Sequence, residues 1–402
     1  MLGDNPYGRS TEGGDCSECR AVRRQQGSKL GTCGSVPSTM SRPPDPTRIV
    51  HVEPSRLDEA MSALLGAGPA AAARFVEQAR ASRVALEHLW CSTDAQGRYR
   101  AAVLAVPSPG RASMLLATRA RDADDAHQLG PLIAAAIAGS APFADIAQAL
   151  IEPARVHDIT AFEVGGLTRM ADLEYLERGL PRAGIIETPP TPSGWTIESA
   201  GTPVQLAGNE VEAIPADTRE ELVTALEQTY LDTLDCPGLA GMRATKDVLV
   251  GHFGSGARPR HWLVARQTSS SEVADSSPAP LPRQDGPQQD NQQVDALPPR
   301  VSQTDGRRGP VQGVCLLNVT PDGSGAELVY LGLAPAARGH GIAQALLAHG
   351  LHACSRSRCT SVSLAVDARN VFARRLYERN GFRRVSTRVA LVCKTHDASH
   401  AR

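Results

Sequence analysis

The stretch Leu331–Leu351, LGLAPAARGHGIAQALLAHGL, joins the end of an apolar strand to an amphipathic helix through a turn rich in glycine. Such a turn exposes several backbone N–H groups at the positive end of the helix dipole, which makes a binding site for anions. Gly339 and Gly341 carry no Cβ that would hold a ligand away from the backbone, and Arg338 opens the turn. The stretch therefore predicts a site for a phosphate or diphosphate between the strand and the helix.

Two common phosphate-binding motifs do not fit this turn. A P-loop requires Lys followed by Ser or Thr after its glycines, and neither pair follows here. A dinucleotide fingerprint needs G-x-G-x-x-G early in a βαβ unit, whereas this turn has another glycine spacing and lies late in the chain. The pattern R-x-x-G-x-A of Arg338–Ala343 instead resembles the coenzyme A diphosphate loop of the GNAT acyltransferase superfamily.

A second motif of the same superfamily follows. Ser361–Val366 (SVSLAV) has the composition of a buried strand. Asn370–Phe382 then reads N-x-x-A-x-x-x-Y-x-x-x-G-F, which resembles the last helix of the superfamily and ends at a glycine. Both motifs occur in the expected order, and the resemblance is specific over about Pro310–Val392.

The resemblance implies a fold and a cofactor. The expected fold is α+β, with a mixed, mostly antiparallel sheet flanked by helices and a splay between the fourth and fifth strands of the catalytic copy. The expected cosubstrate is acetyl-CoA, with its pantetheine arm along the strand Leu331–Leu333 and its diphosphate in the loop Arg338–Ala343. Asn370 either orients the cofactor or caps the helix. The residues implied in cofactor binding are Leu331, Leu333, Arg338, Gly339, His340, Gly341, Ile342, Ala343 and Asn370.

The same resemblance implies acetyl transfer to an amine by direct attack. Tyr377 is the expected general acid, because a phenol stays protonated at neutral pH and can serve the departing thiolate. Glu327, at the start of the pantetheine strand, is a candidate base acting through water, although it could equally be a solvent-exposed carboxylate. By the same resemblance, the segment Tyr230–Gly238 covers the acceptor site. Its residues Tyr230, Asp232 and Asp235, together with His252, could select the amine or could belong to solvated helix faces.

The order of predicted elements, β-α-α-β-β-β-α-β-α-β, occurs twice along the chain and predicts two tandem domains of one topology. In the first copy the segment Thr118–Asp125 replaces the glycine turn and carries three acids, which disfavour a diphosphate, and Phe162 stands near the place of the tyrosine. The predicted organisation is a disordered extension at 1–46, a degenerate and non-catalytic GNAT-like domain at 47–184, a catalytic domain at 193–394 with a disordered insertion at 267–309, and a disordered tail at 395–402.

Composition argues against several other classes. The 402 residues include 42 basic and 43 acidic side chains, so no global field favours nucleic acid or an anionic membrane as a partner. The most apolar window, Leu129–Ile151, is interrupted by proline, glycine and aspartate and reads as a globular core segment. The N-terminus has no apolar stretch of the kind found in signal peptides, and the expected location is the cytoplasm.

A zinc site is the remaining possibility at the N-terminus. Cys16-x-x-Cys19 and Cys33 have no fourth ligand at finger spacing, so no metal is expected. Translation could begin at Met1 or at Met40. The main hypothesis is an N-acetyltransferase acting on a small-molecule or peptide amine, and the alternative is a non-catalytic acyl-CoA sensor or scaffold. The acceptor, the acyl chain preference and the oligomeric state are left open by the sequence.

Overall fold

The computed structural model describes residues 48–82, 84–181, 190–200, 215–253, 258–268 and 309–396. The predicted N-terminal extension, nearly all of the predicted insertion (269–308) and the end of the predicted tail (397–402) lie outside these residues, as do the three cysteines considered for zinc. The boundary predicted between 184 and 193 also falls largely outside them, so the domain limits stay predictions.

The N-terminal half (residues 48–181) contains six strands and four helices. In chain order they are β1 Arg48–His51, α1 Leu57–Leu65, α2 Pro69–Ala81, β2 Leu89–Thr93, β3 Tyr99–Ser108, β4 Ala112–Ala117, α3 Ala123–Ser140, β5 Ile146–Ile151, α4 Val156–Val164 and β6 Thr168–Gly179.

The C-terminal half (residues 190–396) repeats that order. Its elements are β7 Trp195–Ser199, α5 Ala216–Tyr230, α6 Thr245–Phe253, β8 Arg258–Gln267, β9 Val311–Val319, β10 Gly325–Leu333, α7 Ile342–Arg356, β11 Ser361–Asp367, α8 Val371–Arg379 and β12 Arg383–Lys394. The predicted tandem α+β fold with a mixed sheet is therefore confirmed.

All twelve strands belong to one sheet, in the order β1-β2-β3-β4-β5-β12-β6-β11-β10-β9-β8-β7. Neighbours run antiparallel except β4 beside β5 and β10 beside β11, which are parallel. In each parallel pair only the first residues are paired: the ladder between β10 and β11 ends at Leu328↔Leu364, and the one between β4 and β5 ends at Met114↔Gln148. The predicted splay between the fourth and fifth strands of the second copy is thus present as the opening between β10 and β11.

The two halves exchange their last strands. β6 of the N-terminal half pairs with β11 of the C-terminal half from Ser361↔Gly179 to Asp367↔Leu173. In return, β12 pairs with β5 of the N-terminal half. The last strand of each half therefore pairs with the fifth strand of the other half. As a result, the strand next to β11, on the side away from the opening, comes from the N-terminal half.

Helices cover both faces of the sheet. On one face, α7 packs through Leu346 and Leu347 on the strand residues Leu317 and Leu328, and Tyr377 of α8 belongs to the same cluster. On the opposite face, α5 and α6 bury Trp262 and Tyr330 beside other strand residues. Since side chains alternate between the faces of a strand, β8, β9 and β10 contribute to both clusters.

Helix α5 begins and ends earlier than its sequence indicates. The sequence Thr218-Arg219-Glu220-Glu221 predicts a capping box at the start of this helix, and the aligned Leu222, Leu226 and Tyr230 predict a helix through Leu234. Both predicted ends are wrong. The helix starts at Ala216 behind Pro215, whose φ of −50° already suits a helix entry, so Thr218 lies inside the first turn. It stops at Tyr230 because Leu231 is extended and Asp232 has a φ of 53°.

Gly110, in the turn between β3 and β4, fixes the contact between the halves. Its φ is 76°, and a Cβ at this position would lie 2.0 Å from the carbonyl oxygen of Asp247 and 2.7 Å from the nitrogen of Gly251, both in α6. The guanidinium of Arg243 also donates to the Gly110 carbonyl oxygen at 2.8 Å. Glycine is therefore required here both for its backbone conformation and for the close approach of α6.

Replacing Gly110 with alanine is expected to destabilise the folded chain. The matched control is Gly97→Ala, because Gly97 also has a φ of 76° but has no atom within 4 Å of its Cβ position. Both variants share the backbone strain, so the difference in their free energies of unfolding in urea isolates the steric clash, which we expect to cost about 1–3 kcal/mol. Equal free energies for the two variants would contradict the close packing of the halves.

Candidate active site

The opening between β10 and β11 leads into a cavity of about 780 Å³. β10 bulges between Leu328 and Tyr330 in its ladder with β9, which turns the strand away from β11 at the point where their pairing ends. The cavity wall includes Leu328 and Tyr377 from one face of the sheet and Tyr330 and Thr229 from the other. The cavity therefore passes through the sheet and connects its two faces.

The glycine loop before α7 forms one end of this cavity. Gly339 and Gly341 have φ values of 83° and 77°, a region that favours glycine. Gly341 is the N-cap of α7 and supplies no side chain to the first N–H groups of the helix, whose first backbone bond is donated by Ala345 to Gly341. Among the described residues, no acceptor pairs with the N–H groups of residues 339–344. These N–H groups can therefore accept a ligand carrying negative charge.

The space above the loop is open. A Cβ on Gly339 would have no atom within 4 Å, and one on Gly341 would meet only Pro192, at 3.8 Å. The glycines are thus not required by packing within the described chain. Their conformation and the unused N–H groups agree with the predicted anion site.

Arg338 lies in the cavity wall, and its side chain contacts the end of α5. Its guanidinium donates to the carbonyl oxygens of Leu231 at 2.5 Å and of Leu333 at 3.2 Å, with longer contacts to Thr229 and Asp232. The side chain is therefore held by the end of α5 and is not directed at a phosphate. It joins the glycine loop to residues 231–236, the segment after α5 that covers the cavity.

Most residues predicted to bind the cofactor meet at this cavity. Those in its wall are Leu331, Leu333, Arg338, Gly339, Gly341, Ile342, Ala343 and Asn370. Beyond Leu328, β10 has no partner on its β11 side among the described strands, so its backbone there can pair with an extended ligand. The His340 ring lies outside the cavity wall, is exposed and approaches Trp195 with ring centroids 6.5 Å apart.

Tyr377 extends from α8 into the cavity wall. Its side chain is only 6% exposed and packs edge-on against Phe382, with ring centroids 5.7 Å apart. Burial raises the pKa of Tyr377, and the Asp235 carboxylate adds to the shift, so the phenol stays protonated across the physiological range. The helix is fixed by Asn370, whose side chain accepts from the Ala373 N–H at 3.1 Å; the predicted N-cap role of Asn370 is thus present in the structure.

Glu327 lies on the paired part of β10, between Asn318 of β9 and Ser363 of β11. Its neighbours Ala326 and Leu328 face α7, so the Glu327 side chain points to the other face. Burial raises the pKa of Glu327 above its usual value. Glu327 does not line the cavity, although its neighbour Leu328 does.

The segment that covers the cavity, residues 231–236, is held in an unusual backbone conformation. Asp232 and Cys236 both have positive φ, at 53° and 46°. Two reciprocal bonds attach the segment to the end of β11: the Asp367 N–H donates to Asp235 Oδ1 at 3.0 Å, and the Cys236 N–H donates to Asp367 Oδ2 at 3.2 Å. The buried Asp367 also pairs with Arg369 at 2.6 Å.

The four residues considered for amine selection divide into two groups. Asp232 and Asp235 lie in the cavity wall. Tyr230 and His252 lie behind Tyr330 in the cluster under α5 and α6, and burial lowers the pKa of His252 to about 4, so its ring is neutral. Sequence reasoning missed Tyr330 and Asp367, although their places beside the strand bulge and at the strand end are where sheets present functional side chains.

The equivalent loop of the N-terminal half is occupied by the chain's own carboxylates. Asp122 caps α3 by accepting from the Asp125 N–H at 2.9 Å, and Asp125 pairs with Arg121. The Ala120 N–H donates to the buried Asp158 at 2.7 Å. These acids take N–H groups that an anion would need, and the non-catalytic role of this copy stays a prediction.

Within the described residues, no group of three or more His, Cys, Asp and Glu side chains is placed to hold a metal ion. No helix in the described part of the chain is long and apolar enough to cross a membrane.

Comparisons with known proteins point to one family. Residues 272–382 match the model of the acetyltransferase (GNAT) family. A comparison with curated proteins gave no match.

Several solved structures resemble the chain at low identity. A GCN5-related N-acetyltransferase from Sphaerobacter thermophilus is 16% identical over 88% of this chain and 96% of its own, with a TM-score of 0.46. A tandem GNAT protein from the clavulanic acid biosynthesis pathway is 13% identical over 87% of this chain and 99% of its own, with a TM-score of 0.45. Both scores lie below 0.5, and the fold of this chain is established by its own strand order.

Proposed function

We propose that this chain, whose residues 272–382 match the model of the acetyltransferase (GNAT) family, is an acetyl-CoA-dependent N-acetyltransferase acting on an amine. The observation that supports this most strongly is the uncapped glycine loop of α7, which opens into the same cavity as Tyr377. An anion site alone would suit many phosphate ligands. An anion site beside a splayed strand edge and a buried phenol suits an acyl thioester carried on an extended arm with a diphosphate.

In this proposal the cofactor lies along β10. The N–H groups of residues 339–343 bind the diphosphate, and the free backbone edge at Leu331–Leu333 pairs with the pantetheine amides. The thioester then reaches the opening near Leu328, where the sheet is parted. Arg338 contributes through its position, because its side chain holds the covering segment against the loop.

The chemistry is a direct acyl transfer. The lone pair of the neutral amine attacks the thioester carbonyl carbon, a C–N bond forms, and the carbonyl becomes a tetrahedral oxyanion. The C–S bond then breaks, and Tyr377 donates a proton to the departing thiolate. The proton lost by the amine passes through water to Glu327, and solvent restores both groups. Burial raises the pKa of Tyr377, so the phenol still carries its proton when the thiolate departs.

The test is a thiol-release assay with acetyl-CoA and a panel of primary amines (ethylamine, ethanolamine, lysine amide and spermidine). Amine-dependent release of free CoA, with the acetylated amine detected by mass spectrometry, is the expected result. Tight binding of acetyl-CoA without transfer to any amine over a broadened panel would reject the enzyme and favour the acyl-CoA sensor.

The role proposed for Glu327 gives a prediction on pH. A base must be deprotonated, so the rate advantage of the native chain over Glu327→Gln should grow as pH rises through the raised pKa of Glu327 and reach about 100-fold. Ionisation of the amine affects both proteins equally and cancels in the ratio of their kcat/KM values.

The control for this pH profile is Glu220→Gln, a change of the same kind on the exposed surface of α5. Its ratio to the native chain should remain close to one at every pH. A Glu327→Gln ratio that is equally flat with pH would remove Glu327 from the reaction.

A further inference from the structure

The N-terminal half contributes a strand, β6, directly beside the opening in the C-terminal half. β11 has β10 on one side only as far as Leu364, and it has β6 on its other side along its whole length. Ala365, the first residue of β11 beyond the parallel ladder, lies in the cavity wall and is exposed. Its partner on β6 is Tyr175.

Tyr175 and Ala365 point to the same face of the sheet. Directly paired residues of antiparallel strands have side chains on one face, with Cβ atoms about 4.5–5.5 Å apart. Ser363, two residues earlier on β11, shares this face with Glu327, its partner on β10. Tyr175 therefore lies next to the far end of the cavity, on the face where Glu327 also lies and away from α7.

The surroundings of Tyr175 suit a polar ligand. The side chain is partly exposed, and among the described residues its hydroxyl has no hydrogen-bond partner. Ser363 and Ala365 beside it are small and exposed, so they leave room above the sheet. Burial raises the pKa of Tyr175, with Arg388 and Glu327 as the charged groups nearby, and the hydroxyl can therefore donate and accept as a neutral group.

We propose that the acceptor amine binds on this face, over β6, and that Tyr175 of the N-terminal half positions it beside Glu327 for attack through the opening. This inference rests on the proposed function and adds to it a composite acceptor site. The cofactor enters from the face of α7 and the acceptor from the opposite face, and the exchanged strand makes the N-terminal half part of the acceptor site.

The experiment compares Tyr175→Ala and Tyr175→Phe in the full chain. Each variant is assayed for the KM of the panel amine that the native chain acetylates fastest, for kcat, and for the Kd of CoA. We expect Tyr175→Ala to raise the KM of the amine about tenfold and Tyr175→Phe to raise it less, because the ring remains. The Kd of CoA should stay within about twofold, because the loop Arg338–Ala343 is unchanged.

The control is Tyr99→Ala, which removes a partly buried strand tyrosine of the N-terminal half that stacks on Arg56, far along the sheet from the opening. Its KM for the amine should match that of the native chain. An unchanged KM in both Tyr175 variants, or a loss of CoA affinity as large as the loss for the amine, would overturn the composite site and leave the proposed function standing. Absence of transfer by the native chain would overturn both.

Discussion

Replacing Gly341 with glutamate is expected to weaken the binding of acetyl-CoA by at least about 100-fold. The added carboxylate would stand at the N-cap of α7, where it repels a diphosphate and takes up the N–H groups that would bind it. The fold should survive, because a Cβ at Gly341 would meet only Pro192, at 3.8 Å. Isothermal titration with acetyl-CoA measures the affinity, and circular dichroism checks the fold.

The matched control for this variant is Gly323→Glu. Gly323 has a φ of 75°, close to the 77° of Gly341, and has no atom within 4 Å of its Cβ position. It lies in the turn before β10, at the end of that strand opposite the opening, so the variant adds the same strain and the same charge away from the cavity. Native affinity is expected for Gly323→Glu. Equal affinities in the two variants would show that the loop before α7 does not bind the cofactor.

Replacing Tyr377 with phenylalanine is expected to lower kcat by about 100-fold or more, because the departing thiolate loses its proton donor. The affinity for CoA should change little, since the ring still fills its place against Phe382 and only the hydroxyl is lost. Burial raises the pKa of Tyr377, so its phenol stays protonated on the alkaline side of neutrality. Ionisation of Tyr377 should therefore cause no fall in rate there. The measurement is the kcat of the native chain and of the variant from about pH 6 to about pH 9.

Tyr99→Phe serves as the control for the loss of one phenolic hydroxyl, because Tyr99 lies on β3 of the N-terminal half. Its kcat should equal that of the native chain. Should Tyr377→Phe turn over at the native rate as well, the general-acid role is wrong, and water or another donor must protonate the thiolate. A fall in CoA affinity as large as the fall in kcat would instead assign Tyr377 to cofactor binding.

The glycine loop and the helix of Tyr377 could be predicted from sequence because their physical requirements are local. Gly339 and Gly341 adopt the positive φ that glycine favours, and the N-cap of Asn370 depends on a residue three positions away. The repeat of element order was also readable, because hydrophobic periodicity is a property of each segment. These features do not depend on contacts with distant parts of the chain.

The pairing of distant strands could not be predicted in the same way. β6 and β12 are each the last strand of their half, and nothing within either strand determines that β6 pairs with β11 and β12 with β5. Tyr175 was missed for this reason, since its place beside the opening depends wholly on that exchange. The bonds of the Arg338 side chain could not be predicted either, because the carbonyl groups that hold it, at the end of α5, lie about a hundred residues earlier in the chain.

The most direct test of the account is a crystal structure of the full chain with acetyl-CoA. The diphosphate is expected against the N–H groups of residues 339–343, the pantetheine arm along Leu331–Leu333, and the thioester sulfur within hydrogen-bond reach of the Tyr377 hydroxyl. Acetyl-CoA bound elsewhere, with the loop before α7 empty, would contradict the account.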